Sequence, residues 1–314
     1  MNIANPYLTG GSLAELHNMK LRRYATYASL SVASILIVTK GVAYAMTDSV
    51  SVMTSLLDSV FDAVASSVTM ISVLHAATPA DEEHRFGHGK LEALAALGQA
   101  LFIFASAGYL FFESAHRFIQ PQKVVAPQIG IIVMVLSIVL TGALILFQRH
   151  VIKRTQSVAI SADHLHYKGD LLVNLGVLAA LLLSQYSDWL YFDPLFAAVI
   201  SMSLLYSARD ISRESFGILM DRELSDADRA KIESLVKAHP AARAIHDLRT
   251  RHSGQQTFIE FHLELDGDLT LKKAHDITEE IELTLYKAFP KAEVLIHEEP
   301  AGIDDHRLDD KIRR

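Results

Sequence analysis

Apolar residues gather into six long stretches over the first two thirds of the chain and then give way to short alternating runs. A helix that crosses a bilayer needs about 20 mainly apolar residues. Six stretches approach that length: Tyr24–Tyr44, Val52–Ala77, Leu91–Phe112, Ile129–Phe147, Leu171–Ser184 with a polar lead-in from Val158, and Leu190–Ala208. The fifth is the weakest. Its first turns hold Asp163, His164, His166, Lys168 and Asp170, so that face must meet protein or water rather than lipid. Asp193-Pro194 suits the first turn of the sixth helix.

Beyond residue 209 the period changes. Asp226–Ala238 is amphipathic and stops at His239-Pro240. Ala244–Arg251 and Gln256–Leu265 flank a Ser253-Gly254 turn, and Phe258, Glu260, His262 and Glu264 alternate with Ile259, Phe261, Leu263 and Leu265, the period of a half-buried strand. Leu271–Phe289 reads as a helix and Glu293–His297 as a short strand. The order is αββαβ, a two-layer, ferredoxin-like domain. The expected organisation is an α-helical membrane protein: an N-terminal segment 1–20, a six-helix transmembrane bundle 21–209, an αββαβ domain 210–303 and a charged tail 304–314.

Composition sharpens this division. Half of the 314 residues are hydrophobic and only 21% are charged, and the mean hydropathy of +0.23 is high for a soluble protein. Thirteen acidic and thirteen basic residues precede position 210, whereas 23 acidic and 16 basic residues follow it, so the formal charge of −7 sits in the last third. An acidic domain repels phosphate, which argues against a nucleic-acid partner. With no cysteine, any bound metal must be held by histidine and carboxylates. Met1–Lys20 is polar and does not read as a cleaved signal. Lys20, Arg22 and Arg23, then Arg85 and Lys90, then Arg149, Lys153 and Arg154 mark one side of the membrane. The other side has only Arg117 and Lys123, so both termini are expected in the cytoplasm.

Four intramembrane groups carry candidate chemistry. Asp58 and Asp62 lie four apart in the second span, and His166 and Asp170 four apart in the fifth. Each pair shares a helix face. Two such helices can converge on a tetrahedral site of one nitrogen and three oxygens, a donor set that Zn²⁺ accepts. The alternatives are a hydrogen-bonded network that glues the bundle, or a proton relay without metal. Asp163 lies on the same side and reads as an admission or capping residue at the membrane edge, and His164 as interfacial. In the tail, His246, His262, His275 and His297 with Glu299 favour a second metal site, whereas His239, His252 and His306 read as surface residues. No nucleophile and general base stand at a recognisable spacing, so an enzyme is not expected. A metal sensor anchored in the membrane is the competing reading, and the buried polar groups argue against it.

Asp58-x-x-x-Asp62, His166-x-x-x-Asp170, the loop Asp81-x-x-His84-Arg85-Phe86-Gly87-His88-Gly89-Lys90 and the acidic αββαβ tail together resemble the cation diffusion facilitator family, over about Leu21 to Pro300. The resemblance implies a homodimer in a bacterial inner membrane that exchanges cytoplasmic Zn²⁺ for protons by alternating access. Cd²⁺ and Fe²⁺ stay open as transported ions. It transfers a metal site onto Asp81, His84 and His88, with Gly87 and Gly89 allowing a tight backbone. It places a two-metal site on the four tail histidines and a carboxylate that is aspartate in relatives and Glu299 here. It also implies a charge interlock between Lys90 and Asp221.

Overall fold

The computed structural model describes residues 13–47, 50–120, 128–184, 191–254, 256–290 and 292–302. Lys123, the first twelve residues of the N-terminal segment and the charged tail 304–314 with His306 lie outside them. The chain divides into two compact units, Met1–Phe216 and Gly217–Arg314.

The first unit is built from α1 (Leu13–Thr47), α2 (Val50–Ala76), α3 (Lys90–Ile119), α4 (Gln128–Thr155) and α5 (Val158–Ser184), followed by most of α6 (Phe192–Leu219). Each is at least as long as the hydropathy stretch that predicts it, although α2 ends at Ala76, one residue before the predicted Ala77, and α6 begins at Phe192. Hydropathy sees only the apolar part of a helix, while backbone hydrogen bonding continues into polar flanks; α1, for instance, starts at Leu13. Among the described residues five helices are long and apolar enough to span a bilayer, and α5 is the one left out.

The structure resolves the difficulty of α5 by burying it. Ile160, Ala162, Leu165 and Tyr167 are buried, and α5 packs on α1, α2, α3 and α4. Leu165 also joins Ile103 and Ala107 of α3 with Leu204 and Ala208 of α6 in one apolar cluster. Two glycines permit that approach: a Cβ on Gly169 would stand 3.2 Å from the Leu204 side chain, and one on Gly176 3.0 Å from Ile200. Small residues at such contacts let helices pack without lipid between them. The outer helices instead expose large apolar side chains such as Val38, Phe112 and Leu146, as a lipid-facing surface requires.

The second unit holds α7 (Asp226–Lys237), β1 (Ala244–His252), β2 (Thr257–Leu265), α8 (Leu271–Ala288) and β3 (Ala292–Pro300). The strands lie in the order β1-β2-β3. β1 and β2 pair antiparallel, and α8 carries the chain over to β3, parallel to β2. Ser225 caps α7 by accepting from Asp228 N, and Thr270 caps α8 by accepting from Lys273 N. The apolar face of β2, with Ile259, Phe261, Leu263 and Leu265, forms one core with Ile232 and Val236 of α7 and Ile281 and Leu285 of α8. Its other face carries Glu260, His262 and Glu264 beyond the buried Phe258. β3 runs three residues past the predicted end at His297, because pairing with β2 continues through Glu298, Glu299 and Pro300, where no apolar alternation marks a strand. Replacing the fully buried Leu263 with alanine should destabilise this unit by about 2–5 kcal/mol, read from denaturant unfolding.

Candidate metal centres

Asp62 leaves α2 towards α5, where His166 and Asp170 occupy one face a turn apart. His166 Nε2 lies 2.9 Å from Asp62 Oδ1 and 3.9 Å from Asp170 Oδ2. One donor atom from each residue falls within 4.8 Å of the others, a spacing that can hold a metal ion. His166 is buried, and the Phe102 ring meets it edge-on with centroids 5.7 Å apart. Asp170 Oδ2 is buried without a hydrogen-bond partner. A buried oxygen left unpaired costs free energy, and a cation beside His166 would satisfy it. Three of the four expected donors therefore converge. Asp58, one turn before Asp62 on α2, is exposed and is not in that group.

Around this cluster lie polar groups that the helix-by-helix reading passes over or misplaces. Lys40 is buried in α1 and donates to Ser59 Oγ at 2.7 Å and Ser55 O at 3.0 Å, both on α2. Its signal was an intramembrane charge, masked by its position near a span end, where a lysine can snorkel to the interface. Asp163, in the second turn of α5, is 1% exposed and enclosed by other helices. Hydropathy reads a residue only against its own helix, whereas four neighbouring helices close over Asp163. Beside the start of α3, Arg22 Nη1 pairs with Glu92 Oε1 at 2.7 Å, Arg22 Nη2 donates to Thr155 O at 2.8 Å, and Ser157 Oγ donates to Glu92 Oε2 at 2.5 Å.

The α2–α3 loop brings Asp81, His84 and His88 together. Asp81 Oδ1 lies 3.5 Å from His84 Nδ1 and its Oδ2 3.4 Å from His88 Nε2, and the two imidazole rings are 4.6 Å apart. His88 Nδ1 is buried without a hydrogen-bond partner. Gly87 takes φ +76°, the left-handed region that favours glycine, and donates its N–H to His84 O. Gly89 needs no such freedom, since at φ −56° it caps α3 in the helical region. Asp81 accepts from His84 N at 2.6 Å and Glu83 N at 3.0 Å. The His84 N–H, more than the neighbouring imidazoles, holds its carboxyl below the usual carboxylate range. A group whose pKa is depressed on folding contributes above its unfolded value and loses that contribution as the pH falls through the folded value. The His84 amide resonance should therefore shift with a midpoint below the pH of about 3.9 of an ordinary aspartate.

In the tail, strand register makes the site. His246 pairs with His262 across β1 and β2, and His262 with His297 across β2 and β3. Three histidines thus form a row across the polar face, with ring centroids 5.1 Å and 4.7 Å apart. Glu299, two pairs further along and on the same face, lies 2.6 Å from His246 Nε2 through Oε1 and 3.3 Å from His262 Nδ1 through Oε2. One carboxylate therefore reaches two imidazoles, and the extra methylene relative to aspartate does not prevent it. His246, His262 and Glu299 have metal-compatible spacing. A bulge between His246 and Arg249 puts Asp247 at φ +49°, with its Oδ2 3.9 Å from His262 Nε2. His275 is exposed on α8 and stands outside the cluster. His239 lies 3.1 Å from Glu280, and His252 3.4 Å from Thr257 Oγ1. Lys90 is the first residue of α3, and Asp221 sits at φ +51° with Arg251 Nη1 3.6 Å away.

The comparisons agree with this division. Residues 26–220 match a family model described as the cation efflux transmembrane domain, and residues 224–301 one described as the cation efflux protein, cytoplasmic domain. The chain is 43% identical over 282 residues to the cation-efflux pump FieF of Shewanella oneidensis, covering 90% of this chain and 95% of that protein. FieF of Klebsiella pneumoniae is 42% identical over 279 residues, with 89% and 93% covered. Among solved structures, the metal-bound C-terminal domain of the CzcD transporter from Thermotoga maritima is 29% identical, covers 26% of this chain and 100% of that one, and has a TM-score of 0.25. The two matched domains and the near full-length likeness to these pumps show that the chain belongs to the cation efflux family of membrane transporters, the cation diffusion facilitators.

Proposed function

We propose that this cation efflux transporter exports Zn²⁺ from the cytoplasm in exchange for protons, working by alternating access as a homodimer in a bacterial inner membrane. The observation that carries the reading is the convergence of Asp62, His166 and Asp170 between α2 and α5. Nitrogen and carboxylate oxygen in a partly enclosed site suit Zn²⁺, and Cd²⁺ and Fe²⁺ compete for the same donors. Asp58, one helical turn from Asp62, is the fourth donor once the ion draws the two helices together.

Proton coupling is supported by the 2.9 Å contact between His166 Nε2 and Asp62 Oδ1. In that hydrogen bond Nε2 carries a proton that an ionised carboxylate accepts. A metal needs the Nε2 lone pair, so it binds only as that proton leaves. From the opposite side of the membrane a returning proton restores the hydrogen bond and weakens the ligand set. No bond of the substrate is made or broken, so the protein acts as a carrier rather than an enzyme.

The basic flanks of the spans set the orientation, with both termini in the cytoplasm. The loop site of Asp81, His84 and His88 delivers or couples the ion. The tail site takes Zn²⁺ on His246, His262, His297 and Glu299 and favours one arrangement of the dimer, provided the two arrangements differ in affinity.

Uptake into sealed vesicles containing the purified full-length chain tests the proposal. An imposed pH gradient should accelerate Zn²⁺ flux, and Zn²⁺ addition should release protons. Flux indifferent to the gradient would remove the antiport. Competition by Cd²⁺, Fe²⁺ and Mn²⁺ ranks the ions, and light scattering of the detergent-solubilised protein gives the oligomeric state.

A further inference from the structure

We infer that Asp163 is a positioning residue for ion binding, the carboxylate on which four neighbouring helices converge and which sets α5 against α2. The inference rests on Asp62, His166 and Asp170 forming the transport site. Asp163 Oδ2 accepts from Ser29 Oγ of α1 at 2.6 Å and from Gln148 Nε2 of α4 at 2.8 Å. Its Oδ1 accepts from Ser66 Oγ of α2 at 3.2 Å and from Gln99 Nε2 of α3 at 3.3 Å. Each of α1 to α4 thus contributes one donor to one carboxylate of α5. The donors are held in turn: Gln99 Nε2 also reaches Thr69 Oγ1 at 2.7 Å, and Gln148 Nε2 also reaches Ser29 Oγ at 3.0 Å. Four hydrogen bonds converging on one carboxyl group fix its position as well as adding energy.

What ties this hub to the ion is register. Ser66 stands one turn after Asp62 on α2, and Asp163 one turn before His166 on α5. The Ser66–Asp163 contact of 3.2 Å and the Asp62–His166 contact of 2.9 Å are therefore successive rungs between the same two helices. A third contact braces the first: the Ser66 and Tyr167 hydroxyls are 2.9 Å apart, and Tyr167 donates to Ser29 O at 3.2 Å. With the hub intact, α5 can neither slide along α2 nor roll away from it without breaking these hydrogen bonds. His166 and Asp170 ride on that helix. A carboxylate whose only task was to glue the bundle would be a costly choice in a membrane, where serine or asparagine would serve. Four donors aimed at one carboxylate, a turn from the ion-binding histidine, are the arrangement expected of a group that orients ligands.

The test uses the full-length chain in proteoliposomes, with Zn²⁺ uptake measured against Zn²⁺ concentration. Ser66→Ala removes the α2 rung, and Asp163→Asn puts an amide among four donors. Each should raise the KM for Zn²⁺ by about 10–100-fold, the usual cost of removing a group that orients metal ligands, with a smaller change in maximal rate. The double variant Asp163→Asn with Gln148→Glu exchanges carboxylate and amide within the hub and should recover most of the loss, which mere bundle stability does not predict. Unchanged KM in Ser66→Ala and Asp163→Asn overturns the inference, as does a folded double variant without recovery. If Asp163→Asn does not fold, Ser66→Ala decides alone. Asp62→Ala is measured in parallel: if it transports normally the transport reading itself fails, whereas if it is dead and Ser66→Ala is normal only the role of Asp163 falls.

Discussion

Asp62→Ala and Asp170→Ala should each lower Zn²⁺ uptake at a fixed low concentration by at least about 100-fold, since loss of a group that only orients a metal ligand already costs about 10–100-fold. The two substitutions remove a donor from opposite helices of the cluster, Asp62 from α2 and Asp170 from α5. Losing Asp62 also removes the acceptor that lies 2.9 Å from His166 Nε2, so the proposed exchange of ion for proton would lose both of its terms at once. Asp170→Ala is the cleaner experiment, because Asp170 Oδ2 has no hydrogen-bond partner to lose. Its removal takes away a ligand without costing a hydrogen bond, so the folded protein should be about as stable as before while flux disappears. Full Zn²⁺ flux in either variant would mean that the ion does not pass through this cluster. Asp58→Ala discriminates further: as the fourth donor it should impair uptake despite being exposed in this structure.

The second large effect is on folding. Glu92→Ala should destabilise the helical unit by about 3–5 kcal/mol, because it leaves the buried Arg22 guanidinium without its carboxylate. Arg22 and Glu92 side chains are only 9% and 3% exposed and meet at 2.7 Å. The same glutamate accepts from Ser157 where α5 begins, and Arg22 Nη2 donates to Thr155 O where α4 ends. One ion pair thus fastens α1, α3 and the α4–α5 connection. The measurement is thermal unfolding of the detergent-solubilised protein. Replacing both partners with apolar residues, Arg22→Met with Glu92→Leu, should recover much of the loss, since the penalty comes from an uncompensated charge rather than from absent attraction. A single variant as stable as the parent would show that water reaches Arg22.

Much of the architecture was legible along the chain because the responsible forces are periodic. Apolar runs long enough for a bilayer mark helices without reference to any neighbour. Alternation over Phe258–Leu265 likewise assigns one face of β2 to the core and leaves His262 and Glu264 on the other. Helical spacing of four puts His166 and Asp170 on one face. Strand ends were less legible: β3 reaches Pro300 because β2 offers it pairing partners, not because Glu298 and Glu299 favour a strand.

The candidate sites divide in the same way. The loop site is nearly local, with Asp81, His84 and His88 within eight residues of chain, so spacing alone nominates it. The tail row needs two strand registers, His246 with His262 and His262 with His297. Alternation cannot supply these, since it says which face a side chain takes but not which residue stands opposite. Asp163 is the clearest case. The sequence of α5 shows only a carboxylate in its first turns, and the packing of α1 to α4 around it shows that this carboxylate is enclosed and meets four donors.

By itself the sequence determined the number of long helices, the αββαβ order, the residue types able to hold a metal and their pairing within each helix. The tertiary structure alone decided that Asp62, His166 and Asp170 meet while Asp58 stands apart, that Lys40 is buried against α2, and that Asp163 is enclosed by the surrounding helices. The physical reason is the range of the forces. Hydrophobic period and helix propensity act over a few residues of one segment, whereas a donor set between segments depends on helix rotation and register. Those are set by side chains 97 and 104 positions away, as in the Ser66–Asp163 and Asp62–His166 contacts.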